Sequence, residues 1–234
     1  MNESGTFQEK REGLDGMCAH CGMKDRLCRG NPDAKAPDFC STTLYEDVIQ
    51  EVRKEYSRDD INRFAKNAAI QERSCYGIDP EKPEKRYPLK PRITEVIEFC
   101  RRMGYQKIGL AFCGGLHREA AVVSKIFENA GLQVVSVMCK VGGIDKTEMG
   151  LPEKEKIYPG KHESMCNPIS QAKILNAAGT EFNVMLGLCV GHDSMFFRYS
   201  EALCTVLAVK DRLLGNNPLA AVYTSDSYYK YLKQ

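Results

Sequence analysis

The sequence lacks the features that would direct a chain into a membrane, out of the cell or onto nucleic acid. No apolar run approaches the roughly 20 residues of a membrane-spanning helix. Residues 1–13 are polar and carry no apolar core of a secretion signal, so we expect a disordered lead-in. The formal net charge is only +2 over 234 residues, which provides no basic surface for nucleic acid. We therefore expect a cytoplasmic protein without a membrane or nucleic-acid partner.

Cysteine, in contrast, is abundant, with 11 residues in the chain. In a secreted protein this number would indicate disulfides, but the count is odd and no secretion signal is present. A reducing compartment keeps thiols free, and free thiolates bind metals. Metal or redox chemistry is therefore our first interpretation. Cys75, Cys100 and Cys204 lie within helical or strand patterns and are interpreted as packing residues.

Four cysteines fall within residues 14–42, at the spacing C-x2-C-x6-C-x11-C, and are predicted to bind one metal: Cys18, Cys21, Cys28 and Cys40. A C-x-x-C pair presents two sulfurs to one ion from a single tight turn, and the more distant cysteines complete the site. The segment has little hydrophobic periodicity, so a bound metal would have to hold it together. Zinc and a [4Fe-4S] cluster both accept four thiolates, and both stay open.

The rest of the chain is predicted to be a helical connector over 43–104, packed on an α/β core domain over 105–234. A stiff polar linker is expected at 79–88. Strands alternate with helices in the core domain and are predicted at 107–113, 132–139, 182–189 and 204–209, with a fifth at 220–223. This alternation predicts an α/β fold with a doubly wound, mostly parallel sheet, Rossmann-like and three-layered.

A second set of cysteines is predicted to meet at one edge of that sheet. Cys113, Cys139 and Cys189 each end a predicted strand, and Cys166 precedes a helix capped by Asn167. Ligands bind at the carboxyl ends of the strands in such sheets, and a helix N-terminus favours the thiolate form of a nearby cysteine. The four cysteines therefore predict a crevice that holds a second iron–sulfur cluster, a metal or a reactive cysteine pair.

Polar residues beside these cysteines extend the predicted crevice. The candidate catalytic residues are Cys113, Cys189, His192 and Asp193. His192 is interpreted as a general acid or base, or as an extra metal ligand. A Ser–His–Asp triad is not expected, because adjacent residues rarely point at one another. The group at 210–212, Lys-Asp-Arg, follows the fourth predicted strand and fits either the lining of the same crevice or a surface salt-bridge group, and the second interpretation is preferred.

Four short motifs carry a resemblance to a known family. They are Cys18-Ala19-His20-Cys21, Asp38-Phe39-Cys40, Cys166-Asn167-Pro168-Ile169 and, above all, the string Gly187-Leu188-Cys189-Val190-Gly191-His192-Asp193-Ser194. With them the chain resembles the bacterial and archaeal family catalogued as domain of unknown function 1847, over nearly all of its length after the lead-in. The resemblance implies a potential metal-binding protein without an assigned reaction.

Two classes of function remain open from the sequence. The first is a redox or lyase/transferase-type enzyme that acts on a small anionic ligand in the crevice. The second is a non-catalytic sensor or carrier that holds a metal or small ligand through the same thiolates. A homo-oligomer is compatible with either class.

Overall fold

A computed structural model describes residues 15–234 of the chain, so the predicted lead-in at 1–13 lies outside the described residues. The chain divides into two compact units, Met1–Ala68 and Ala69–Gln234. Each unit has its own secondary structure and is described separately.

The first unit contains short helical elements and no β-strand among its described residues. Its elements are the 3₁₀ turns Cys18–His20 and Leu27–Arg29, helix α1 (Ser41–Leu44), helix α2 (Glu46–Glu55) and the start of helix α3 (Asp59–Ser74). None of the residues from 15 to 68 is buried. Because apolar burial is the main stabilising term in folding, the described part of this unit lacks the usual source of stability.

A small antiparallel hairpin opens the second unit, after the end of α3. Strand β1 (Tyr76–Ile78) pairs with strand β2 (Arg86–Pro88). The prediction of a linker over 79–88 is therefore wrong at its end, where residues 86–88 form a strand. The Asp79 carboxylate makes the turn by accepting the backbone N–H of Glu81 at 2.9 Å.

The main sheet of the second unit has four parallel strands in the order β4-β3-β5-β6. Its strands are β3 (Lys107–Phe112), β4 (Gln133–Met138), β5 (Phe182–Leu186) and β6 (Cys204–Ala208). The two inner strands, β3 and β5, are almost wholly buried, as expected for continuous apolar runs in a parallel sheet. The mixed α/β class and the parallel sheet are thus confirmed.

The second unit also contains five α-helices after its hairpin. They are α4 (Arg92–Met103), α5 (His117–Asn129), α6 (Pro168–Ala177), α7 (His192–Tyr199) and α8 (Leu219–Tyr223). As predicted, α6 begins with the Asn167 side chain accepting the N–H of Ser170 at 3.1 Å, and proline occupies its first position. The predicted fifth strand at 220–223 is wrong, because these residues belong to α8.

The core that supports the sheet edge lies between the strands and helices α6 and α7. It contains Ala111, Val137 and Met185 from three strands, packed with Leu175 of α6 and Phe196 of α7. Cys139 is part of the same cluster, and Cys113, Cys166 and Cys204 pack against it. Three of the four predicted crevice cysteines, Cys113, Cys139 and Cys166, are therefore anchored on this core.

The centre of strand β3 requires glycine, which gives a first prediction. An alanine at Gly109 would place its Cβ 2.0 Å from Asn183 Oδ1 and 2.7 Å from Leu175 Cδ1. We expect Gly109→Ala to lower the free energy of unfolding by about 1–3 kcal/mol, the usual effect of overpacking a core. Urea unfolding measures this loss, and the added variant Asn183→Ala should recover part of it. An unchanged unfolding midpoint in Gly109→Ala would contradict the packing described.

Candidate metal centre

Two of the predicted crevice cysteines stand side by side at the carboxyl edge of the sheet. Cys113 directly follows β3 and Cys139 directly follows β4. The parallel pairing continues past the strands, because the N–H of Cys139 donates to the carbonyl of Phe112 at 2.9 Å. The N–H of Gly114 donates to the Cys139 sulfur at 3.2 Å. The turn after β3 thus holds this sulfur in place.

Cys166 reaches the same edge through the long loop between β4 and α6. The N–H of Asn167 donates to the carbonyl of Cys139 at 2.7 Å, and the N–H of Met165 donates to the carbonyl of Ile144 at 2.8 Å. These bonds close the loop back on the end of β4. As a result Cys166 lies against Cys139, although 26 residues separate them along the chain.

These three cysteines, which we name the thiol trio (Cys113, Cys139 and Cys166), interact through their sulfurs, with Cys139 in the middle. The hydrogen bond with Cys139 lowers the pKa of Cys113 to about 5, assisted by the backbone N–H of Gly115 and the Lys210 ammonium. The corresponding bond lowers the pKa of Cys166 to about 5, with help from Lys140 and His192.

Cys139, the middle member of the thiol trio, has a raised pKa, in contrast to its two neighbours. Its hydrogen bonds to Cys113 and Cys166 and its burial raise the pKa of Cys139. Only 3% of Cys139 is exposed. The trio therefore combines one protonated, buried thiol with two neighbours that favour the thiolate, which is the form that binds metals.

The cysteines interpreted as packing residues behave differently. Burial raises the pKa of Cys100 to about 12 and also raises the pKa values of Cys75 and Cys204. Neutral thiols of this kind serve as small hydrophobic groups. The structure thus separates them from the thiol trio by their environment.

Cys189, the fourth predicted member of the crevice, has a different partner. It lies three residues beyond β5, where its sulfur accepts a hydrogen bond from Arg212 Nη2 at 3.1 Å. Gly187 allows the intervening turn, with a φ of +67°. The guanidinium therefore occupies one side of this sulfur.

The other two candidate catalytic residues begin helix α7. The backbone N–H groups of His192 and Asp193 donate to the carbonyl of Cys189, at 3.0 Å and 3.1 Å. The Asp193 carboxylate accepts the N–H of Ser194 at 2.8 Å. The His192 ring contributes to the electrostatic field at Cys166, so it belongs to the surroundings of the thiol trio.

An ion-pair network in the loop between β4 and α6 supports the position of Cys166. The carboxylate of Asp145 accepts bonds from the buried Lys156 ammonium at 2.8 Å, the N–H of Thr147 at 2.9 Å and the N–H of Glu163 at 2.7 Å. The Lys156 ammonium also contacts Glu153 at 2.7 Å. These contacts tie the two sides of the loop together.

The network makes the loop sensitive to acid, which gives a second prediction. The Lys156 ammonium and the Thr147 and Glu163 amides lower the pKa of Asp145. Its stabilising contribution is thus complete above the unfolded pKa of about 3.9 and disappears as the pH falls through the lowered pKa. We expect hydrogen-exchange protection of the Glu163 amide to follow this course. Asp145→Asn should abolish the protection at neutral pH, whereas Glu155→Gln, at an exposed position, should preserve it.

Protection of that amide that survives in Asp145→Asn would show that the loop does not depend on the network. The exchange rates must be corrected for the intrinsic pH dependence of amide exchange before the comparison.

The four N-terminal cysteines all have free thiols in the first unit. Cys18 and Cys21 share one 3₁₀ turn, in which the N–H of Cys21 donates to the carbonyl of Cys18 at 3.2 Å. The N–H of Met17 donates to the carbonyl of Phe39 at 3.1 Å, which brings this turn beside Cys40. Cys28 lies on the next turn and is exposed.

Cys40 stands at the start of helix α1, where backbone donors are available. The N–H groups of Thr42 and Thr43 lower the pKa of Cys40. Cys18 contacts the Ser41 hydroxyl at 3.1 Å. Within residues 15–234, no three His, Cys, Asp or Glu side chains are already arranged to hold a metal ion. The metal assignments of both cysteine sets therefore stay predictions.

Two cations that follow β6 face the thiols. Lys210 faces Cys113 and Arg212 donates to Cys189, so these residues line the crevice, and the preferred interpretation of a surface salt-bridge group is wrong. Their position two to four residues after β6 is the sequence signal for this edge of the sheet. The network around Asp145 carries no such signal, since its members are scattered along an irregular loop.

A family model and one relative match this chain over most of its length. A family model described as Protein of unknown function (DUF1847) matches residues 40–207. An uncharacterised protein of Methanocaldococcus jannaschii is 40% identical over 212 residues, which are 91% of this chain and 95% of that protein.

Two crystal structures of Dph2 from Pyrococcus horikoshii, one of them with a 4Fe-4S cluster, match 62% of this chain at 12% and 13% identity, with a TM-score of 0.33. The match spans 33% of the Dph2 chain. Among the helices of residues 15–234, none has the length and apolar content to cross a membrane.

Proposed function

This chain belongs to the family described as Protein of unknown function (DUF1847), and we propose that it is a cytoplasmic protein with two thiolate-bound metal centres. The first centre is structural and uses the four N-terminal cysteines. The second is the working centre and uses the thiol trio, with zinc or an iron–sulfur cluster as its occupant. The observation that carries the proposal is the convergence of three sulfurs from three separate segments at the carboxyl edge of the sheet.

The proposed fold is doubly wound and three-layered, and alternate residues of the strands support it. Ala111 and Val137 pack with α6 and α7 on one side. Phe112 and Ser136 line a cavity with residues of α5, including Ala120. In a sheet of this type, ligands bind where the strand order reverses. That point lies between β3 and β5, next to Cys113.

The residues of the trio suit a metal or cluster by their chemistry. Two of the three thiols favour the thiolate, and metal binding displaces the remaining proton from Cys139. The Lys140 and Lys210 ammonium groups offset the negative charge that three thiolates bring to the edge of the sheet. When bound, such a centre supplies Lewis acidity or electron transfer.

The same cations make a small anion the favoured ligand of the crevice. Lys140 and Lys210 attract and orient the anion. We propose a redox or lyase/transferase-type reaction on that ligand. The near-complete burial of Cys139 favours the alternative function, a sensor or carrier whose centre is closed to substrate.

Thiol alkylation tests whether the working centre binds a metal. In protein purified without oxygen, we expect Cys113 and Cys166 to resist iodoacetamide, as read by mass spectrometry. After removal of metal with a chelator, both should react rapidly, because thiolates are the nucleophilic form. Cys75, a half-buried cysteine with a raised pKa, is the control and should stay slow in both samples. Rapid labelling of Cys113 and Cys166 before chelation would contradict the proposal.

A further inference from the structure

Two buried polar atoms lie close to the thiol trio without a hydrogen-bond partner. In the described part of the chain, the buried side-chain nitrogen and oxygen atoms that lack one are Gln171 Oε1 and His192 Nδ1. The Gln171 amide donates to the carbonyls of Phe112 and Val137, which lie at the ends of β3 and β4. Gln171 thus lies on the helix that Cys166 precedes, whereas His192 begins the neighbouring helix α7.

An unpartnered buried nitrogen destabilises a protein and calls for an explanation, such as an ion that binds it. The His192 ring interacts electrostatically with Cys166. Helices α6 and α7 pack against each other, and Cys166 and His192 stand at the starts of these two helices. One imidazole nitrogen together with three sulfurs is a donor set that zinc accepts.

We propose that His192, through Nδ1, is the fourth ligand of the centre held by the thiol trio, and that Cys189 is not a ligand. This inference rests on the proposed function, because it assumes that the trio binds a metal. The sulfur of Cys189 is held by Arg212 at 3.1 Å. A permanently charged guanidinium at that distance opposes the approach of a metal cation to the same sulfur. The proposed ligand set of this centre is thus three cysteines and one histidine, instead of the four cysteines that the sequence pattern favoured.

Cobalt titration of the full chain tests this assignment, since Co²⁺ occupies zinc sites and its absorption reports the thiolates bound to it. The N-terminal centre also binds cobalt, so its contribution is measured in Cys139→Ser and subtracted. Loss of a partner that only supports a ligand weakens metal binding by about 10- to 100-fold. Loss of a ligand should have at least this effect, so we expect His192→Ala to weaken cobalt binding by at least about 10- to 100-fold. Cys189→Ser should leave both the affinity and the sulfur-to-cobalt charge-transfer intensity unchanged.

A fourth variant guards against an effect of His192→Ala on folding. His192→Cys should restore tight binding and raise the charge-transfer intensity by about one third, because four thiolates replace three. Unchanged affinity in His192→Ala, or a loss of charge-transfer intensity in Cys189→Ser, would overturn the assignment of His192. If wild type and Cys139→Ser bind cobalt identically, the proposed working centre itself is wrong, and the two failures are thereby distinguished.

Discussion

Cys21→Ser is expected to unfold residues 15–68 and to remove the N-terminal metal, while leaving the second unit folded. The reason is that none of these residues is buried, so metal binding has to supply their folding free energy. Structural zinc supplies about 10–16 kcal/mol in small peptides, far more than other contacts of an exposed segment. Hydrogen exchange with mass spectrometry should show full exchange of this segment in the variant and retained protection in strands β3 and β5.

His20→Ala is the matched control for this experiment. His20 lies between Cys18 and Cys21 in the same turn and is exposed, so its loss should leave the metal and the exchange pattern unchanged. A Cys21→Ser variant that keeps the protection and metal content of the wild type would remove the structural role from this cysteine set.

Cys139→Ser is expected to abolish the working centre without unfolding the sheet. Cys139 is the middle member of the thiol trio, so its loss removes one ligand and the contact that joins Cys113 to Cys166. We expect metal affinity at this site to fall by more than about 100-fold, beyond the 10- to 100-fold loss known for outer contacts. A buried hydroxyl in place of the thiol should lower the free energy of unfolding by only about 1–3 kcal/mol.

Cys204→Ser is the control variant for Cys139→Ser. It makes the same chemical change on β6, the outer strand on the other side of the sheet from β4. Its sulfur contacts the Ser200 hydroxyl at 3.2 Å and the Ala202 carbonyl at 3.3 Å, away from the trio. It should show a similar stability loss with full metal content. If Cys139→Ser instead fails to fold, Cys139 is a core residue, and the working centre has to be sought elsewhere.

The sequence was most informative where a pattern is continuous. The buried runs that became β3 and β5, and the Asn–Pro start of α6, are local signals that tertiary packing reinforces. The segment at 220–223 failed for the opposite reason. Four apolar residues fit a short strand or a helical turn equally, and their surroundings decide between them.

The sequence predicts only some of the residues that lie at the carboxyl edge of the sheet. Cys113 and Cys139 follow strands, and this placed them correctly at the carboxyl edge. Cys166 depended on the path of a loop of more than 20 residues, which no local pattern specifies. The proposed exclusion of Cys189 from the ligands rests on its hydrogen bond with Arg212, a contact between residues 23 positions apart that only the folded chain defines.

Metal content per chain is the measurement that tests the central claim most directly. Elemental analysis of zinc, iron and labile sulfide should be made on the full chain, purified without oxygen. We expect two occupied thiolate centres, equivalent to about two zinc ions, to roughly eight irons, or to about one zinc ion and four irons per chain. A single centre, lost in Cys21→Ser and unaffected in Cys139→Ser, would contradict metal binding by the thiol trio.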